Sequence, residues 1–96
     1  MAYDPGAIDA TLAAALGDEP GLIAELRLAF VDSAHRALAA LDDAGDEHGW
    51  RAAAARLKGL AASFGAVRLM ALAGAAAEDG PSDEARRKLR RAVERL

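Results

Sequence analysis

The 96-residue chain is long enough for one small domain and too short for two. It has no cysteine, which excludes disulfides and thiolate metal sites, and its net charge of −3 conceals a segregated pattern. Residues 1–47 hold ten acids against only Arg27 and Arg36, whereas residues 48–77 hold no acid and the bases Arg51, Arg56, Lys58 and Arg68. A basic strip on an acidic protein suits an acidic partner surface.

Strong helix formers fill nearly every segment, and prolines and glycines mark the breaks. Asp4-Pro5 reads as the start of a short helix that carries Ile8, Leu12 and Leu16 and stops at Gly17. Asp18-Glu19-Pro20 opens a long helix running to about Ala44. Its inward stripe, Ile23, Leu26, Phe30, Ala34, Ala37 and Leu41, has the i, i+3/i+4 spacing of a buried face. Gly45-Asp46 breaks the chain before a third helix, Glu47 to Ser63, which Gly65 ends. A fourth carries Leu69, Leu72, Ala73 and Ala76 to near Gly80. Pro81-Ser82-Asp83-Glu84 opens the last, with Ala85, Leu89, Val93 and Leu96 facing inward.

Short connections between long helices predict antiparallel neighbours. The expected fold is therefore all-α: an antiparallel up-down four-helix bundle with a short additional N-terminal helix, as a single domain over 1–96. The first residues show no signal leader, and no segment reaches the roughly 20 apolar residues of a membrane span. The expectation is a cytoplasmic monomer.

The third helix is the informative one. At 100° per residue, Trp50, Ala54, Leu57, Ala61 and Phe64 form one narrow core stripe. The opposite face collects His48, Arg51, Ala55, Lys58, Gly59 and Ala62, where a solvated helix would ordinarily carry Glu, Gln and Lys. Glycine inside a helix costs roughly 1 kcal/mol relative to alanine, so Gly59 needs a reason. Either a partner approaches the backbone there, or Gly59 packs closely against a neighbouring helix of the same chain. A side-chain-poor patch flanked by Arg51 and Lys58 would suit an acidic pocket.

Arg56-Leu57-Lys58-Gly59, then Ala61-Ala62-Ser63-Phe64-Gly65-Ala66, then Leu69 and Leu72, resembles the signature of the histidine phosphotransfer (HPt) family: His-x-Leu-Lys-Gly, small residues, an apolar residue, Gly-Ala and spaced leucines. Upstream, Ala37-Leu38-Ala39-Ala40-Leu41, Gly45-Asp46 and Trp50 resemble the family's approach to its active helix, so the likeness runs from about residue 22 to residue 76. The resemblance implies a phosphorelay role, with response-regulator receiver domains and sensor histidine kinases as partners and no cofactor. It implies that Lys58 stands where the family has a lysine near the phosphoryl oxygens. Gly59 stands where a glycine clears space for the receiver. His48, Arg51, Ala55, Arg56 and Ala62 complete the implied docking face.

The departure is at the acceptor. The family's phospho-accepting histidine aligns with Ala55, and alanine has no nucleophilic atom. Ala55 reads either as a natural loss, giving a pseudo-phosphotransfer protein, or as a substitution in an active one; both predict a chain that docks without carrying phosphate and is not an enzyme. His35 lies off the inward stripe of its helix. His48 lies roughly 10 Å along the axis from Ala55, without a Lys-Gly pair after it. Neither is expected to take over.

Other function classes are weaker. No serine has an arranged base. The acids Asp42, Asp43, Asp46 and Glu47 lack a calcium loop's central glycine and terminal glutamate, and no zinc spacing occurs. The basic last helix spreads Arg86, Arg87, Lys88, Arg90 and Arg91 around its circumference without aromatics, on an acidic protein, which opposes nucleic-acid binding. The serious alternative is an adaptor that binds a kinase or other helical partner through the same Ala55/Gly59 face.

Overall fold

Alanine, leucine and arginine dominate the stretches between the Pro and Gly breaks, and each stretch forms a helix. The computed structural model describes residues 5–17 and 19–96, and so leaves Asp4 and Asp18, read as parts of two helix starts, outside the described residues. The helices are α1 (Pro5–Leu16), α2 (Pro20–Asp42), α3 (Glu47–Ser63), α4 (Val67–Asp79) and α5 (Asp83–Glu94), with no strand among the described residues.

Local chemistry sets the ends. Pro20 sits in the first turn of α2, where its missing N–H costs nothing. The Asp46 carboxylate accepts the Gly49 N–H at 2.7 Å and caps α3. Ser82 Oγ accepts the Ala85 N–H at 3.0 Å and caps α5, and caps of this kind contribute about 1 kcal/mol each. Gly80, at φ +83°, turns the chain sharply after α4, a conformation that costs glycine nothing. The long helix stops at Asp42 rather than near Ala44, because the Asp43 and Ala44 N–H groups fold back onto the carbonyls of Ala39 and Leu41 in a closing turn.

Four helices close a ring: α2 packs on α3, α3 on α4, α4 on α5 and α5 on α2, while α1 lies against α2. Trp50, Phe30, Leu41, Leu57, Leu69, Leu89 and Val93 fill the interior. Phe30 and Phe64 stack with centroids 4.7 Å apart. Trp50 is wholly buried, and its Nε1 donates to the Ala76 carbonyl at 2.8 Å, so its one polar atom is satisfied. Ala34, Ala54, Ala61 and Ala73 have no exposed surface, and their small side chains let helix axes approach closely. The expected stripes face inward. Ile23, Leu26, Phe64, Leu72, Ala85 and Leu96 are half-buried, and Leu38, outside the expected α2 stripe, is buried too. A helix touching both α3 and α5 needs an apolar arc wider than one stripe.

The final helix is tied to α2 by charge. Asp42 receives Arg90 at 2.6 Å and approaches Arg86 at 3.8 Å. Arg86 also pairs with Asp83 and lays its guanidinium over the Trp50 ring, 4.9 Å from the centroid. The α5 cations are thus partly structural. No described helix is long and apolar enough to cross a membrane.

Candidate functional site

The core stripe of α3 fixes where its other face points. With Trp50, Ala53, Ala54, Leu57 and Ala61 buried, helical geometry turns His48, Arg51, Ala55, Arg56, Lys58, Gly59 and Ala62 outward, and all seven are exposed. The structure therefore brings every residue of the expected docking face onto one continuous ridge. Ala52 joins it, so the crest from His48 to Ala62 is made mainly of alanine and glycine.

Gly59 lies in open space: a Cβ built there meets nothing within 4 Å. Close packing against another helix of this chain is therefore not its reason. Its carbonyl accepts the Ser63 hydroxyl at 3.0 Å, a bond any residue could accept. What glycine supplies here is a bare stretch of backbone at the surface.

The two flanks of the ridge differ. On the α4 side, Lys58 stretches across Gly74. A Cβ on Gly74 would lie 3.5 Å from Lys58 Cδ and 3.8 Å from its Nζ. The lysine stem rests on the α4 backbone and holds its ammonium in water beside the crest. Lys58 makes no ion pair among the described residues. Sequence reasoning passed over Gly74. A glycine in the middle of an alanine-rich helix was the signal that could have found it.

Arg51, one helical turn before Ala55 on the same flank, is engaged within the chain. Its guanidinium donates to the Ala77 and Glu78 carbonyls and pairs with Glu47 at 2.6 Å. These are the last carbonyls of α4, which a cation satisfies while also complementing the helix dipole. Arg51 therefore joins α3 to α4 and contributes charge to the ridge only secondarily. On the α2 side, Arg56, Gly59, Leu60 and Ser63 line a shallow groove of about 360 Å³ with Ser33 and Arg36. Arg36 is paired with Asp32, whereas Arg56 has no ion pair among the described residues.

Position 55 has no nucleophilic atom. Ala55 presents a methyl group at the centre of the crest. His48 and His35 are both exposed, and His35 belongs to α2, not to the ridge helix. Among the described residues no three His, Cys, Asp or Glu side chains gather to hold a metal, the turn acids near Asp42 included. The chain matches no known family model, no curated protein and no solved structure.

Proposed function

We propose that this chain is an HPt-like phosphorelay protein that docks a response-regulator receiver domain, or the sensor kinase that feeds it, through the α3 ridge and carries no phosphate itself. The observation that carries the reading is the exposed glycine in open space beside a lysine with no ion pair among the described residues, at the spacing of Leu57-Lys58-Gly59. A bare crest admits the rim of an acidic pocket, and Lys58 and Arg56 supply the opposite charge on either side. The cross-helix contacts suit an antiparallel up-down bundle: Trp50 near the start of α3 meets Ala76 near the end of α4, and Phe30 midway along α2 meets Phe64 after the end of α3. In this reading the protein works in the cytoplasm as a monomer, and Ala55 leaves the docking step without the transfer step.

The test pairs the chain with Ala55→His. Both are incubated with radiolabelled, phosphorylated receiver domains from the same source. Label on Ala55→His alone supports the register, the face and the lost chemistry together. Label on the unsubstituted chain would assign the acceptor role to His48 or His35 and overturn the phosphate-free reading. Label on neither, with the ridge still capturing a helical kinase fragment, would favour the adaptor.

A further inference from the structure

Most cations of this molecule that lie near an acid are matched to it: Arg27 to Asp9, Arg36 to Asp32, Arg51 to Glu47, and Arg86 and Arg90 to Asp42. The edge of α5 that faces α4 departs from this. Lys88, Arg91 and Arg95 fall at i, i+3 and i+7, one stripe of the helix. With Arg68 of α4 they line a groove of about 230 Å³ whose other described lining residues are Leu72 and Ala92. No acid lines it. Arg91 and Arg95 make no ion pair among the described residues, and Lys88 reaches Glu84 at 3.0 Å, outside the groove.

The geometry points to a binding site for a compact, polyphosphate-type anion between α4 and α5. Arg91 and Arg95, one turn apart along this edge of α5, repel each other, and an anion seated against them removes that repulsion. Arginine presents a planar fork that takes two oxygens of one phosphate, so several forks along one groove match a ligand with adjacent phosphates better than a single monovalent ion. The cationic stripe spans two turns of α5, roughly 10 Å, which limits the ligand's length. Beyond Leu72 and Lys88 the same interhelical groove is lined by Asp79 and Glu84. An acidic peptide or a nucleic-acid backbone following the groove would meet those carboxylates, whereas a short anion stops before them. The site shares no residue with the α3 ridge and does not depend on receiver docking.

The experiment titrates the isotopically labelled chain with inorganic tripolyphosphate at low salt and follows backbone amide shifts. Saturable shifts at Arg68, Leu72, Lys88, Arg91, Ala92 and Arg95 are expected. Arg91→Glu should weaken binding at least about tenfold, the loss of a charge-assisted pair. Arg87→Glu changes net charge equally on the same helix but lies outside the groove, and should stay within about twofold. Melting curves of both variants confirm that each is folded. Non-saturating shifts, shifts centred on Arg56 and Lys58, or equal weakening by Arg87→Glu would overturn the site. Tighter binding of hexaglutamate or of duplex DNA than of tripolyphosphate would overturn the compact-phosphate assignment.

Discussion

Gly59 forgoes stability that an alanine would supply. The added methyl meets no neighbour, and the helix backbone is ordinary there, so Gly59→Ala should raise stability by about 0.5–1 kcal/mol. If the bare backbone serves a partner, the same methyl should weaken docking, and a larger side chain should abolish it. Thermal melting and receiver binding measured on one preparation separate the two effects. A variant that melts higher and binds unchanged would remove the functional reason for the glycine. Lys58 is a different case, because its stem rests on Gly74 and only its ammonium would face a docked partner. Glu84 titrates with a definite sign. The hydrogen bond from Lys88, together with its charge and that of Arg87, outweighs the small cost of desolvation and holds the carboxyl below the usual carboxylate range. A lowered folded-state value means that its contribution is full above the ordinary carboxylate pKa of about 4.3 and is lost as pH falls through the lowered value. Glu84→Gln should remove that part of the acid limb of a stability–pH curve, measured by chemical denaturation at stepped pH.

Among the elements, α5 depends most on a single partner. Asp42 holds Arg90 and Arg86, and Arg86 in turn covers the buried Trp50 ring. Asp42 is also mostly buried, with Oδ1 lacking a hydrogen-bond partner, so its carboxylate depends on the two guanidinium charges. Asp42→Ala should destabilise the fold by about 1–2 kcal/mol. For a chain of this size that lowers the melting temperature by roughly 5–15 °C. Trp50, the only tryptophan, should report the loss of Arg86 through altered fluorescence before global unfolding. A variant melting with the unsubstituted chain would show that apolar packing of Leu89 and Val93 alone seats α5. This element also shows where sequence reasoning stopped. The bounds of α3 were legible because Asp46 and Gly65 punctuate them, and its faces because Trp50, Leu57 and Phe64 repeat at helical spacing. The pairing of Asp42 with Arg86 and Arg90 was not, since it joins residues more than forty positions apart. Arg51 was legible as an exposed cation but not as a cap on α4, because backbone carbonyls at Ala77 and Glu78 leave no mark in the residue types.

At the scale of the whole molecule the question is how an acidic protein presents a basic ridge. The fold answers by consuming some cations and sparing others. Arg27, Arg36, Arg51, Arg86 and Arg90 face acids, while Arg56 and Lys58 flank the crest of α3 without an ion pair among the described residues. The ridge therefore carries net positive charge on a chain of net charge −3. Attraction between such a patch and an acidic receiver pocket acts at distances near the Debye length, about 10 Å at 0.1 M salt, and so is screened as salt rises. Docking to a receiver should weaken by about tenfold between low and moderately high salt, chiefly through a slower on-rate. Lys58→Glu should weaken docking at low salt and flatten the salt dependence, because one attraction becomes a repulsion. An adaptor contact made by Ala52, Ala55 and Ala62 against an apolar helix would behave oppositely, with affinity nearly independent of salt and little changed by Lys58→Glu. Binding isotherms across a salt series, for the chain and for Lys58→Glu, thus distinguish a ridge read by its charge from one read by its bareness.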